Sequence, residues 1–401
     1  MKETIVLAFS GGLDTSFCVP YLRETRGCDV VTVTVDTGGL DDAARRALDK
    51  RARELGAKDH ILVDARAAFF DETLRWLVAG NVLRGNVYPL CVGAERSLQA
   101  RVSAEQARRL GAKAVAHGCT AAGNDQVRFE VALRTLAPEL EVVAPIRDLG
   151  WSREQETSWL TERGYMASAE RAAYSINRGL WGCTIGGRET LDTVASIPES
   201  AWVLTKGAFD APKAPSAHTL TFDKGVPVAL DGRRMDTVAL IEALDNTAAP
   251  YGIGRGIHLG DTILGLKGRV AFEAPAAVVL IHAHRELEKC VLTQKQQRMK
   301  DMMASFYGDQ VHEGQWLEPA CRDVEAFFAS TQERVSGDVM VTFRQGSMWV
   351  DGVKSPWSLR AASKAVYGEA AGEWTPEDAR GFSRMLALPG MLHARANGAE
   401  A

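Results

Sequence analysis

The 401-residue chain lacks any apolar run approaching the ~20 residues that a bilayer-spanning helix requires, so no membrane role is expected. It lacks cysteine pairs with metal or redox spacing. Its seven cysteines, Cys18, Cys28, Cys91, Cys119, Cys183, Cys290 and Cys321, stand apart and are odd in number, which fits free thiols in a reducing compartment. It has no strong excess of either charge. The 47 Lys and Arg residues against 51 Asp and Glu give a net charge of −4, which speaks against a broad nucleic-acid surface. No stretch is low-complexity. The opening Met-Lys-Glu-Thr-Ile-Val-Leu-Ala runs straight into an apolar segment without a secretory pattern, so a cytoplasmic protein is expected. What remains is an ordinary globular composition, 46% hydrophobic and 24% charged, long enough for two domains.

The first ~165 residues alternate between strand and helix patterns. Strands are expected at 4–9, 29–35, 60–63 and 113–117, and helices at 13–24, 41–55, from about 64 through 78, and from about 94 to 110. Gly27, Gly56 and Gly111 follow three of these helices, as left-handed C-terminal glycines do. Leu-Gly-Ala-Lys occurs at 55–58 and again at 110–113, each time between a helix and a strand. Strands separated by helices imply a parallel sheet covered on both faces. Ser152 and Gln155 form a capping box that starts a further helix.

The alternation then stops. Residues 196–275 read as short strands and turns, followed by helical stretches near 277–305 and 318–333 and a hairpin at 338–352. Thr375-Pro376-Glu377-Asp378 starts a last helix, with proline at its favoured first position. The expected fold is α/β: a nucleotide-binding domain over 1–168, an α+β domain over 169–370 and a helical tail over 371–401.

Between the first strand and first helix lies Ser10-Gly11-Gly12-Leu13-Asp14-Thr15-Ser16. A strand, a glycine turn and a helix start present free N–H groups at a positive helix end, which suits phosphate. Ser10, Thr15 and Ser16 add hydroxyls. The segment has neither the lysine of a Walker A loop nor the Gly-x-Gly-x-x-Gly of dinucleotide folds. It resembles the pyrophosphate loop of the N-type ATP pyrophosphatases, which hold the β and γ phosphates as a leaving group while attack falls on the α-phosphate. A held pyrophosphate needs charge offset rather than a lysine that follows a transferred group.

A second dense cluster, "HGCTAAGNDQVRFE" at 117–130, follows the fourth strand, where open α/β sheets place ligands. Asp125 suits an ammonium and Arg128 a carboxylate fork. This segment closely resembles a signature of the argininosuccinate synthase family. "YSINRGLWGCTIGG" at 174–187, "LAPELEVVAPIRD", "HAHRELE" and "DARGFSRMLALPG" are similar to further family stretches, so the resemblance covers nearly the whole chain.

The resemblance implies a Rossmann-like domain of the adenine nucleotide alpha-hydrolase type, then a synthetase and multimerisation domain. It implies a carbon–nitrogen ligase that joins citrulline and aspartate with ATP and Mg²⁺, releasing AMP and pyrophosphate, in a homotetramer. Ala8, Phe9, Ser10, Gly11, Gly12, Leu13, Asp14, Thr15 and Ser16, with Val35 and Gly118, would bind ATP. Thr120, Asn124 and Asp125 would bind aspartate. Tyr88, Asn124, Arg128, Ser175 and Thr184 would bind citrulline. Asp14, Asp125 and Arg128 are the candidate catalytic residues, Asp125 orienting the aspartate amine. No side-chain cluster for a resident metal is expected.

The chain departs from the family at the citrulline end. Val92 and Gly93 replace two hydroxyl residues, though Arg96 remains. Gly260 and Phe272 stand where the family has a glutamate and a tyrosine that hold the citrulline α-amino group. Either Asp261 and other contacts substitute, or the acceptor is an N-acylated citrulline with a neutral α-nitrogen. A tRNA-modifying thiolase would want a basic RNA surface and a reactive cysteine. A non-catalytic ATP sensor of the same fold would bind ATP without releasing pyrophosphate. His282 and His284 read as structural, Met299, Met302 and Met303 as helix core, and Cys119 as a small residue rather than a nucleophile.

Overall fold

The computed structural model describes residues 2–166, 174–365, 367–368 and 372–398. The expected domain limits at 168/169 and 370/371 lie outside these residues. The first strand, β1 (Thr4–Ala8), pairs in parallel with β2 (Asp29–Asp36) on one side and β4 (Ala114–Ala116) on the other. β3 (Asp59–Asp64) and β5 (Glu141–Val143) complete the sheet in the order β3-β2-β1-β4-β5.

Alternation along β1 explains the layers. Ile5 and Leu7 face one way, onto Phe17, Val19 and Leu22 of α1 (Leu13–Arg26) and beside Leu55, which caps α2 (Asp42–Glu54). Val6 faces the other way, onto α5 and α6, through Ala100, Ala104 and Phe129. Here α5 is Arg96–Arg109 and α6 is Asn124–Leu136; α3 (Arg66–Phe69) and α4 (Arg75–Ala79) precede them. A sheet buried on both faces needs such unbroken apolar strands. The strand order reverses between β1 and β4, so their carboxyl ends open onto the crevice where this topology binds ligands.

α7 (Pro145–Leu149) and α8 (Arg153–Glu162) close the first unit, α8 starting at the expected Ser152–Gln155 capping box. Beyond it lie two antiparallel sheets. One has the order β11-β12-β7-β6, from β6 (Ser175–Gly179), β7 (Gly182–Gly186), β11 (Arg255–Asp261) and β12 (Lys267–Glu273). The other runs β10-β9-β8-β13-β14, from β8 (Ser216–Asp223), β9 (Val226–Leu230), β10 (Arg233–Arg234), β13 (Gly337–Arg344) and β14 (Ser347–Lys354). The helices α9 (Thr237–Ala248), α10 (Pro275–Val291), α11 (Gln294–Glu313) and α12 (Pro319–Gln332) share the largest core with β8 and β13. A short α13 (Leu359–Ala362) precedes the tail helix α14 (Pro376–Ala396).

Several expectations need correction. The helix ending near Val78 is α3 and α4 joined by a π turn at Phe70–Leu74. The stretch 277–305 is two helices, because Thr293 caps α11 with Gln296 and ends the chain of α10. That box was legible but the apolar pattern ran across it. Helix α9 lies inside 196–275, where the pattern predicts strands and turns, and β5 is a three-residue strand that the pattern does not predict. Met299 and Met302 are exposed and only Met303 packs against the core. His284 is structural: its ring sits between Asn81 Oδ1 at 2.6 Å and Gln332 Oε1 at 2.8 Å, beside the buried Lys300–Glu288 ion pair. His282 faces solvent. No residue of α14 is buried, and Phe382, Met385, Leu386 and Leu392 are exposed along it. Among the described residues no helix is long and apolar enough to cross a membrane.

Candidate active site

The phosphate loop starts where β1 ends at Ala8. Phe9 is buried and held in line by Val33 O, and Thr34 Oγ1 donates to Phe9 O at 2.7 Å. The chain then turns at Gly11, whose φ of +74° is costly for any residue with a side chain. Gly12 caps α1 without a side-chain bond, so the first-turn N–H groups keep their capacity for an anion. Hydroxyls brace the loop. Ser10 Oγ lies 3.2 Å from Thr15 Oγ1, and Ser16 Oγ donates to Gly11 O at 3.3 Å. Arg51 Nε reaches Ser16 Oγ at 3.3 Å. Gly118, just past β4, lies against this loop: a Cβ there would sit 2.9 Å from Thr15 Cγ2 and 3.1 Å from Thr15 N. The two sequence clusters therefore touch because position 118 has no side chain. Val35 lies one residue before the end of β2, in the same sheet.

Asp14 points from the first turn of α1 toward Glu156 of α8, a residue the sequence did not single out. Burial raises Asp14 above the ordinary carboxylate range, with Arg153 opposing it. Burial and then the Asp14 charge push Glu156 up to about 8. Between the usual glutamate value and about pH 8 the folded chain keeps a proton on Glu156 that the unfolded chain has lost. Stability therefore falls as pH rises through that window. Glu156→Gln is expected to flatten this slope, with a relative gain of roughly 1–2 kcal/mol near pH 8. Thermal melts of both proteins near pH 5 and pH 8 check it; parallel shifts of the two proteins would refute it.

Around Asp125 the side chains form a closed charge cluster. Arg96 Nε lies 3.0 Å from Asp125 Oδ2, and Arg128 Nη1 donates to Asp125 Oδ1 at 2.8 Å. Arg96 also donates to Glu95 Oε1 and Gln99 Oε1, each at 2.9 Å, and to Asn177 Oδ1 at 3.3 Å. Thr37 Oγ1 donates to Glu95 Oε2 at 2.5 Å. Burial alone would raise Asp125, but Arg96 and Arg128 outweigh it and bring the carboxyl down to about 2. A group that stays ionised so firmly orients an ammonium rather than taking a proton. Burial raises Glu95 to about 7 against the pull of Arg96. Asn124 Oδ1 accepts from Ile263 N at 2.9 Å, tying α6 to the turn between β11 and β12. Thr120 is exposed in the turn before α6. Cys119 is no nucleophile: burial lifts its thiol to about 12.

The remaining wall comes from the second unit. Tyr88 is buried, stacked on His258 at 5.4 Å and tilted against Phe272 at 5.2 Å. Phe272 pairs across the sheet with Thr184, which pairs with Asn177. Ser175 lies two residues before Asn177 on the outer strand β6 and is exposed. Val92 is buried, and Gly93 leaves room for Arg128, whose Cζ would lie 3.2 Å from a Cβ there. Arg128 also donates from Nε to His312 O at 2.8 Å and from Nη2 to His312 Nδ1 at 3.2 Å. At Gly260, a Cβ would meet His258 Nε2 at 2.5 Å and Arg84 Nη1 at 3.1 Å. Sequence reading missed Arg84, Glu95, Asn177, His258 and His312. They come from five different elements or loops, and no local pattern joins them.

The structure thus assembles the expected Asn124, Asp125 and Arg128 with Arg96, and Tyr88 with Phe272 and Thr184. The N-terminal HUP domain of arginosuccinate synthase, as a sequence family, matches residues 4–165, and the C-terminal domain of arginosuccinate synthase matches residues 174–393. The chain belongs to the argininosuccinate synthase family. The chain is 42% identical to the argininosuccinate synthase of Xanthomonas campestris pv. campestris, covering 99% of both chains. It is 40% identical to that of Pyrobaculum aerophilum over 98% of each, and 38% identical to that of Dictyoglomus turgidum over the full length of both. Both family matches and the full-length relatives span the two units that supply the side chains around Asp125 and Tyr88.

Proposed function

We propose that this chain is an ATP-dependent ligase that joins L-citrulline and L-aspartate to argininosuccinate, the step its family contributes to arginine biosynthesis. The observation that carries the reading is the contact of two loops at the strand-order switch. One is a hydroxyl-rich anion cradle at 8–16; the other leads through Gly118 into the ionised Asp125 and its two guanidinium partners. The ureido oxygen attacks the α-phosphorus, forming a citrullyl-adenylate as the P–O bond to pyrophosphate breaks. The aspartate amine then attacks the ureido carbon and expels AMP.

In this reading Ala8–Ser16, Val35 and Gly118 hold ATP, with Mg²⁺ arriving on the phosphates. Thr120, Asn124 and Asp125 hold aspartate. Tyr88, Asn124, Arg128, Ser175 and Thr184 hold the acceptor. The loop amides and hydroxyls offset the charge of the leaving pyrophosphate, and Asp125 aims the amine; placement and charge stabilisation supply the rate. Asp14 stands at the start of α1 beside the cradle, with Glu156 near it and both raised by burial. Residues 1–168 form the nucleotide domain and 169–370 the synthetase domain. The tail 371–401 packs between subunits of a homotetramer through its exposed apolar side chains. The seven free thiols suit the cytoplasm.

The test is pyrophosphate release from ATP and Mg²⁺ with citrulline, with and without aspartate. Argininosuccinate formation that needs all three substrates is the expected result. ATP binding without pyrophosphate release under any combination would favour a sensor.

A further inference from the structure

The wall of the proposed acceptor pocket beside Gly260 carries two guanidiniums and two imidazoles. Gly260 leaves a space, and Arg84 and His258 fill it. Arg84 Nη1 lies 3.4 Å from His258 Nε2, and Arg84 Nη2 donates to Asp261 O at 3.1 Å. His312 Nε2 donates to the same carbonyl at 3.2 Å, which leaves its Nδ1 to accept from Arg128. The ring of His258 lies flat on Tyr88. Arg84, His258, His312 and Arg128 so form one continuous lining from Gly260 to Asp125, in which the two guanidiniums carry the positive charge and the imidazoles are neutral.

The carboxylates within reach are already taken. Asp125 is shared by Arg96 and Arg128. Asp261 pairs with Lys267 at 2.5 Å and is half-exposed. Asp309 is half-exposed and lies 3.5 Å from Arg84 Nε, too long for a good hydrogen bond. Burial lowers both histidines. The charges that act on His312 are Arg128, Arg84 and His258, all adding to that shift, and Arg84 does the same to His258. An ammonium brought here meets donors and like charge, whereas a carboxylate or a neutral carbonyl meets donors it can accept from.

We propose that this pocket takes ureido acids whose α-nitrogen is absent or acylated, and takes them in preference to citrulline, with Arg84 and His258 as the specificity-determining side chains. The inference rests on the ligase reading above, in which the ureido end lies toward the phosphate loop and Asp125. The chemistry is unchanged: the ureido oxygen forms the bond to phosphorus, pyrophosphate leaves, and the aspartate amine displaces AMP.

The experiment measures pyrophosphate release by the full chain with ATP, Mg²⁺ and aspartate, comparing L-citrulline with δ-ureidovalerate and N-acetylcitrulline. At least one of the two lacking the ammonium is expected to show a kcat/KM about tenfold or more above citrulline, mostly through KM, as expected for removing one unfavourable charge contact. Arg84→Gln is expected to erase most of that ratio. Citrulline equal to or better than both overturns the inference and leaves the ligase reading standing. A ratio unchanged in Arg84→Gln removes Arg84 from the assignment. No release with any acceptor, despite ATP binding, overturns the ligase reading and the inference with it.

Discussion

Asp125→Asn is expected to lower kcat/KM for aspartate-dependent pyrophosphate release by about a hundredfold to a thousandfold, the usual cost of removing one partner of a buried charge pair. The substitution keeps size and shape. It removes the charge that holds Arg96 Nε at 3.0 Å and Arg128 Nη1 at 2.8 Å. Two guanidiniums are then left facing each other in a buried cluster. Arg128 keeps only His312, and Arg96 keeps Glu95, Gln99 and Asn177. The aspartate amine also loses its orienting anion. Steady-state kinetics with aspartate as the varied substrate check this, the KM for aspartate rising more than that for ATP. A melting curve of each protein separates a functional loss from unfolding. A fall of less than about threefold, under 1 kcal/mol, would remove Asp125 from the proposed role.

Gly118→Val is expected to raise the KM for ATP by at least about tenfold, the equivalent of ~1.4 kcal/mol or more of lost nucleotide binding. The reason is steric. Even a Cβ at 118 would come within 2.9 Å of Thr15 Cγ2 and 3.1 Å of the Thr15 backbone nitrogen, and a branched side chain adds two methyl groups. Thr15 cannot retreat freely, because its hydroxyl reaches both Ser10 Oγ and Gly12 O. The loop must shift as a unit, and its N–H groups lose their common focus. The aspartate side of the site is left in place, so the KM for aspartate is expected to move much less. ATP titration by calorimetry and steady-state kinetics check the split. An unchanged ATP affinity would show that the contact of the two loops is not what shapes the cradle.

The nucleotide unit was largely legible in the sequence because its signals are local. Ile5, Val6 and Leu7 mark a strand buried on both faces, and Gly27, Gly56 and Gly111 each take the positive φ that the chain needs after a helix. The later unit was less so. α9 carries no glycine or proline punctuation at its start, and Asp236, which caps it, was read within a run of turns. The break between α10 and α11 hid in a continuous helical pattern although its Thr293–Gln296 box was in plain text.

The sequence by itself determined the parallel sheet, the glycine and hydroxyl loop at Ser10–Ser16 and the Asn124–Arg128 cluster. The sheet is written in the alternation of strand and helix patterns along the chain, and the other two in residues a few positions apart. Only the tertiary structure decided what lies beside Gly260. Arg84 lies before α5, His258 on β11 and His312 at the end of α11; Arg84 and His312 meet on the Asp261 carbonyl, and His258 joins them through Arg84. Contacts at such separations are set by how sheets and helices pack, which no local periodicity encodes. The same holds for Glu156 beside Asp14 and for Asn177 on Arg96. The chemistry a pocket can do is written in its residue types, but the charge it presents is the sum of side chains that folding brings together.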